Sequence, residues 1–301
     1  MGQKDLSEKR LVAFDDVFAD IVNVLLFGGR SVIRPEELED KGSRSIYKDG
    51  AMLREMDRDV VKRWKQGEVR FACIGVENQT TVDQDMPLRV IGYDGAAYRA
   101  QLAEPGNGKE RYPVITLVLY FGYGKHWDKA VTLLDRVTVP EGLDSYVNDY
   151  RVNLFEVAYL SEEQVAMFQS DFKIVVDYFV QKRKNHDYKP PETEIRHVEA
   201  VLQLLSAMER DDRFENAVYK KDGKKVENMC DVLDVVENRG IEIGEQRGIK
   251  IGERQGIEKN RRETATRLSE MGLSVDQIAK AVEMNEGVVR IWLDENLNPI
   301  K

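Results

Sequence analysis

The sequence predicts an α/β protein: a mixed central sheet flanked by helices, followed by an α-helical C-terminal region. Three observations carry that expectation. Residues 113–121 form a continuous apolar run rich in Val, Ile and aromatics, as in a strand buried on both faces. Before and just after that run, helix-like and strand-like patterns alternate. From about Glu162 onward the pattern turns helical and stays so, broken at Lys189-Pro190-Pro191 and Asp222-Gly223.

Composition narrows the function classes. The chain has 301 residues, 42% hydrophobic and 33% charged, enough to fill one large domain or two modest ones, which excludes a fully disordered chain. Against 54 acidic residues stand 45 Lys and Arg, a formal net charge of -9, so any contact with nucleic acid must be local. Cys73 and Cys230 provide neither a disulfide framework nor a zinc cluster, and 3 scattered histidines do not build a metal site. No apolar run approaches the ~20 residues of a membrane span, and the N-terminus MGQKDLSEKR is charged. The expectation is a cytoplasmic protein with no membrane partner.

The elements follow in order. Phe14, Val17, Phe18, Ile21, Val24 and Leu25 recur at helical spacing over 12–27, and Asp15, Asp16 and Asp20 fall mostly on other faces, expected to be solvated. A polar stretch with Pro35 and Gly42 comes next. Runs at 59–64 and 69–76, separated by Lys65-Gln66-Gly67-Glu68, read as a hairpin. Asp85 is placed to cap a second helix that accepts Pro87 in its first turn and ends near Leu102. After the buried strand, closed by Gly122, Gly124 and Trp127, residues 152–160 read as a further strand.

Residues 239–256 repeat an eight-residue unit, RGIEIGEQ then RGIKIGER, which sets Gly240, Gly244, Gly248, Gly252 and Gly256 four apart. In a helix each glycine costs about 0.5–1 kcal/mol relative to alanine, so such a helix needs a partner against which small residues pack. Self-association, a charged linker and a strand remain open here. The tail from 263 reads as a helix-turn-helix-like hairpin: Gly272 ends one helix, Ser274 caps the next with Gln277 in capping-box position, and Val288, Ile291 and Trp292 form the apolar face of the last. That last helix sets Arg290 against Glu286, Asp294 and Glu295, a poor surface for phosphates.

One constellation could carry chemistry. Alternation on the strong strand puts Phe71, Cys73, Gly75, Glu77 and Gln79 on one face, and the hairpin brings Asp59 toward Glu77 from the neighbouring strand. Two converging carboxylates suit a hard divalent ion such as magnesium, with Gln79 to orient a water. A solvated strand end is the competing reading. Lys62, three residues after Asp59, should point away from it, and Asp57 competes with Asp59 because both share a strand face. Arg89 and Tyr93 lie one helical turn apart beside this region, placed either to contact phosphate and base or to serve packing and a surface pairing. Tyr120 and Trp127 are expected to pack, and His126 to act as a structural hydrogen-bonder.

Glu77-Asn78-Gln79-Thr80, Met86-Pro87-Leu88-Arg89 with Tyr93, and Tyr120-Phe121-Gly122 with Trp127 together resemble the Rpn family of recombination-promoting nucleases and transposases, within the PD-(D/E)XK nuclease superfamily. The likeness spans roughly 12–180, and the glycine repeat with its terminal hairpin is similar to tails in that family. It implies a PD-(D/E)XK core over 1–180, then a helical extension (181–238), a glycine-repeat helix or linker (239–262) and the hairpin tail (263–301). It further implies a DNA endonuclease dependent on magnesium or manganese, serving recombination or transposition. Asp59 and Glu77 would be the metal ligands, Gln79 the third catalytic residue where most of the superfamily has lysine, Arg89 and Tyr93 contacts to DNA, and the tail a homo-oligomer contact. Glutamine can hydrogen-bond but brings no positive charge. A nuclease-derived DNA-binding or oligomerisation protein without catalysis is the alternative.

Overall fold

A computed structural model describes residues 10–40, 44–49, 52–57, 60–76, 84–103 and 111–297. Helix α1 (Asp15–Phe27) buries Val17, Phe18, Ile21, Val22 and Val24. It stops at Gly28, whose φ of 62° is the left-handed conformation that glycine takes without a Cβ clash. Asn23 is buried at the end of this helix and fully engaged. Its Nδ2 donates to Ile33 O at 2.8 Å, and its Oδ1 accepts from the amides of Val32 and Ile33 at 3.1 and 2.9 Å. That exchange folds the following segment back onto α1 and satisfies a buried amide.

Four strands come next, β1 (Leu38–Asp40), β2 (Arg44–Asp49), β3 (Met52–Asp57) and β4 (Val60–Trp64), then β5 (Val69–Val76). The hairpin of β2 and β3 stands where a polar stretch was expected. Its sequence signal is Gly50-Ala51 between two six-residue runs, a glycine-first pair that suits a two-residue hairpin turn. Helix α2 (Met86–Ala103) leads to β6 (Val114–Tyr120), and β7 (Asn153–Glu156) completes a five-stranded mixed sheet of order β1-β4-β5-β6-β7. The β1/β4 and β4/β5 pairs are antiparallel, and the β5/β6 and β6/β7 pairs are parallel. The expected strand 152–160 is thus shorter, because the chain turns into a 3-10 helix at Val157–Tyr159.

Each sheet face has its own cover. Ile74, Val118 and Tyr120 pack with Met86, Val90 and Tyr93 of α2 and with Val152. On the other face Phe121, just past β6, meets Phe172 and Phe179 at ring separations of 6.4 and 5.4 Å. Those two rings belong to α4 (Phe172–Asn185), which follows the short α3 (Glu162–Met167). The end of α2 is pinned to the start of β6 by buried Gln101, whose side-chain amide both donates to and accepts from the Tyr112 backbone at 3.0 Å. Helices α5 (Val198–Glu209) and α6 (Asp212–Glu215) complete this part.

Helix α7 (Met229–Glu270) runs for 42 residues through the glycine repeat, which is therefore helix and not strand. Two compact units divide within it, Met1–Val235 and Val236–Lys301. In the second unit Gly272, at φ 84°, ends α7, Ser274 and Gln277 form the expected capping box of α8 (Val275–Ala281), and α9 (Glu286–Leu297) follows. Its core gathers Ala265, Ile278, Ala279, Val282, Val289 and Trp292. Ile291, expected in that core, is 57% exposed; Val289 is fully buried in its stead, so the buried stripe of α9 is rotated from the one read in the sequence.

Candidate active site

The described strands bracket the expected site without containing its acids. Asp59, Glu77 and Gln79 lie outside the described residues. Val60, which follows Asp59 in sequence, pairs with Cys73, and Val76, which precedes Glu77, pairs with Tyr120. The side chain of Asp57 also lies outside the described set. Among the described residues no group of three or more His, Cys, Asp or Glu could hold a metal ion.

Arg89 and Tyr93 are brought together. From successive turns of α2, the Arg89 Nε donates to the Tyr93 hydroxyl at 2.8 Å, and the guanidinium sits 5.6 Å from the ring centroid. Tyr93 is 4% exposed and its ring belongs to the core beneath α2, whereas Arg89 is exposed. The pair thus offers a guanidinium at the surface and a buried aromatic that orients it. Just before α2, Asp85 is ion-paired with Arg136 at 2.7 Å, which ties the loop after β6 to the start of the helix.

Lys62 carries the least expected geometry. Its register opposite Phe71 puts it on the same sheet face as Phe71 and Cys73. Only 1% exposed, its ammonium donates to Asp15 Oδ1 at 2.5 Å and Asp40 Oδ1 at 2.7 Å, and lies 5.9 Å from the Phe18 ring centroid. The lysine of the hairpin is therefore spent on joining α1, β1 and β4. Asp16 contacts His197 Nε2 at 3.2 Å, and Asp20 accepts the amides of Gln169 and Ser170 at 2.9 and 2.7 Å. The three helix acids expected to be solvated each hold a donor from another segment.

At the far ends of β6 and β7, Tyr120 meets Trp127 edge to face at 5.3 Å, as expected of packing residues. Glu156, the last residue of β7, accepts the Trp127 amide at 2.7 Å and contacts His126 Nδ1 at 3.1 Å, so His126 has the structural partner foreseen for it. Burial raises the Tyr120 phenol above its ordinary value. The nearby Lys125 and Asp128 hydrogen-bond one another, which raises the lysine and lowers the aspartate. Buried Asp94 on α2 was missed altogether. It accepts the Thr116 hydroxyl at 2.6 Å and the Tyr150 hydroxyl, linking the helix to β6 and to the segment before β7. An acid among Tyr93, Gly95 and Ala97 gave no periodic signal that would distinguish it from a surface residue.

A family model described as "Putative transposase, YhgA-like" matches residues 52–212, from β3 to the start of α6. The chain belongs to the YhgA-like transposase family. The matched span takes in the β4/β5 hairpin, α2, β6 and the Tyr120/Trp127 corner, the segments on which the resemblance to Rpn nucleases and transposases rested. Membership in the YhgA-like family points to a function connected with transposition, and so to DNA. No curated protein and no solved structure matches the chain. Among the described residues no helix is long and apolar enough to cross a membrane.

Proposed function

We propose that this YhgA-like protein is a magnesium-dependent DNA endonuclease on a PD-(D/E)XK core, acting in the cytoplasm in recombination or transposition. One relationship supports the reading most. Asp59 directly precedes β4 and Glu77-Asn78-Gln79 directly follows β5; these strands are antiparallel, so β4 starts at the end of the sheet where β5 finishes. Two carboxylates, with water filling the other positions, form an all-oxygen donor set, which suits magnesium, or manganese in its place. A bound ion would polarise a phosphoryl oxygen and acidify the attacking water.

In this reading Asp59 and Glu77 hold the ion and Gln79 orients the water through its amide. Arg89, aimed by Tyr93, neutralises a phosphate, and the two together form the DNA contact of α2. The positive charge that lysine supplies elsewhere in the superfamily is missing at Gln79, and Lys62 does not replace it, because Asp15 and Asp40 hold its ammonium. Copies assemble through the C-terminal helices. The test is cleavage of single-stranded, duplex and supercoiled DNA with magnesium, beside Asp59→Ala and Glu77→Ala proteins. Loss of at least about 100-fold in both variants is expected; cleavage at the parent's rate would overturn the assignment.

The net charge of -9 and the glutamine in place of lysine favour a second reading, a nuclease-derived protein that binds DNA or assembles without catalysis. Calorimetry separates the two. Magnesium binding that disappears in Glu77→Ala supports the nuclease, and its absence in the parent selects the alternative.

A further inference from the structure

Where β6 and β7 end, Tyr159 holds two planar groups against its ring, and one of them faces solvent. Arg183, in the last turn of α4, sets its guanidinium 4.8 Å from the Tyr159 centroid while its Nε donates to Ala158 O at 2.7 Å. The His126 imidazole stacks on the same ring, with centroids 3.7 Å apart and planes 30° apart. Its side chain is 69% exposed although Tyr159 covers one face, so the other face is open to solvent. Glu156 fixes the ring edge. Anchored by the Trp127 amide at 2.7 Å, this carboxylate faces His126 Nδ1 at 3.1 Å, where only a hydrogen-bond donor fits, so Nδ1 carries the proton. Lys125 and Lys129 share Asp128 at 2.8 and 3.1 Å, so together with Arg183 three cations stand against Asp128 and Glu156 in this corner.

We propose that the open face of His126 stacks on an unpaired base of a DNA strand. A ring held in place by Tyr159 and Glu156 loses little freedom on binding, and every base offers a flat face to it. Exposed Tyr146 makes the poorer platform, because Glu141, Asp144 and Asp149, near it in sequence, repel phosphates. Position supports the choice. Tyr120 pairs with Val76 on one side and with Glu156 on the other, so His126 is held at the sheet end where Glu77-Asn78-Gln79 follows β5. Ligands of open α/β sheets bind outside the carboxyl ends of the parallel strands. From β5 to β7 is two strand spacings, about 10 Å, so one DNA strand crossing this end passes both places. The proposal rests on the reading of this chain as a DNA-binding protein and adds the substrate class. Single-stranded or locally unpaired DNA fits, because neighbouring pairs cover both faces of a base inside a duplex.

Photocrosslinking and binding of the full chain, both in EDTA, test it. A single strand carrying iodouracil should crosslink under near-ultraviolet light to the peptide that contains His126, as read by mass spectrometry. The parent should bind an oligothymidine strand more tightly than a duplex of the same length. His126→Ala should weaken that binding about 5- to 150-fold, and His126→Phe, which keeps a ring, should stay within about threefold of the parent. On a strand of the same length without bases, His126→Ala should bind like the parent, an outcome that a general loss of structure would not give. A parent that binds no single strand, a crosslink map without the His126 peptide, unchanged oligothymidine binding in His126→Ala, or an equal loss on the strand without bases would each overturn the proposal. EDTA removes the metal from both assays. A chain that binds through His126 yet cleaves nothing with magnesium therefore sinks the nuclease reading and leaves this one standing.

Discussion

Lys62 and Asp15, 47 residues apart in sequence, meet at 2.5 Å where the middle of β4 passes under the first turn of α1. The lysine is buried, but Asp15 and Asp40 are 49% and 80% exposed, so water can solvate the acids and cannot reach the ammonium. Removing the acids should therefore hurt more than removing the lysine. The Asp15→Asn/Asp40→Asn protein leaves a buried cation uncompensated and should lose about 3 kcal/mol in urea unfolding. Lys62→Met, similar in volume and uncharged, should lose less than half of that.

Asp94 joins α2 to the sheet through the Thr116 and Tyr150 hydroxyls. Asp94→Leu removes the acceptor of the buried Thr116 hydroxyl and of the half-buried Tyr150 hydroxyl and should cost about 3 kcal/mol. Thermal melts of Thr116→Val should show a smaller loss, since Tyr150 keeps its acceptor.

At Gly122 a Cβ would lie 2.0 Å from the Tyr120 ring. Gly122→Ala must push that ring against Trp127 and should destabilise by about 1–3 kcal/mol. Near-UV circular dichroism is the second readout, because the Tyr120/Trp127 edge contact should be disturbed.

Burial raises the Asp177 carboxyl above the usual range, against a smaller lowering by Gln181. A raised folded pKa means that the unfolded chain ionises first, so a stability penalty sets in as pH rises through the unfolded value of about 3.9 and is complete above the folded one. Asp177→Asn should accordingly stabilise at neutral pH and be neutral at pH 3. A gain of equal size at both pH values would contradict the burial explanation.

If Arg89 neutralises one phosphate, Arg89→Ala should weaken DNA binding evenly across sequences and lower the salt slope by about 1. Tyr93→Phe keeps the core ring but removes the acceptor of the Arg89 Nε, and titrations at two salt concentrations should place it between parent and Arg89→Ala.

The local patterns were legible because short-range physics sets them. The apolar run of β6, the hairpin of β4 and β5, the Ser274/Gln277 capping box and the glycine stop at Gly272 follow from spacing and backbone preference within a few residues. The β2/β3 hairpin was missed because its strands are too polar to give an apolar alternation. Asp59, Glu77 and Gln79 were singled out by their place at strand ends, and they lie outside the described residues.

By itself the sequence determined the α/β class, the helical C-terminal half and the motifs that connect the chain with the YhgA-like family, since composition and periodicity act along the chain. Only the tertiary structure decided what the charged side chains do. Asp15, Asp16 and Asp20 looked like one solvated helix face, and each found a donor from a segment far away in sequence. Such pairings depend on which backbones the sheet and helices bring within about 3 Å, and a linear pattern holds no record of that distance.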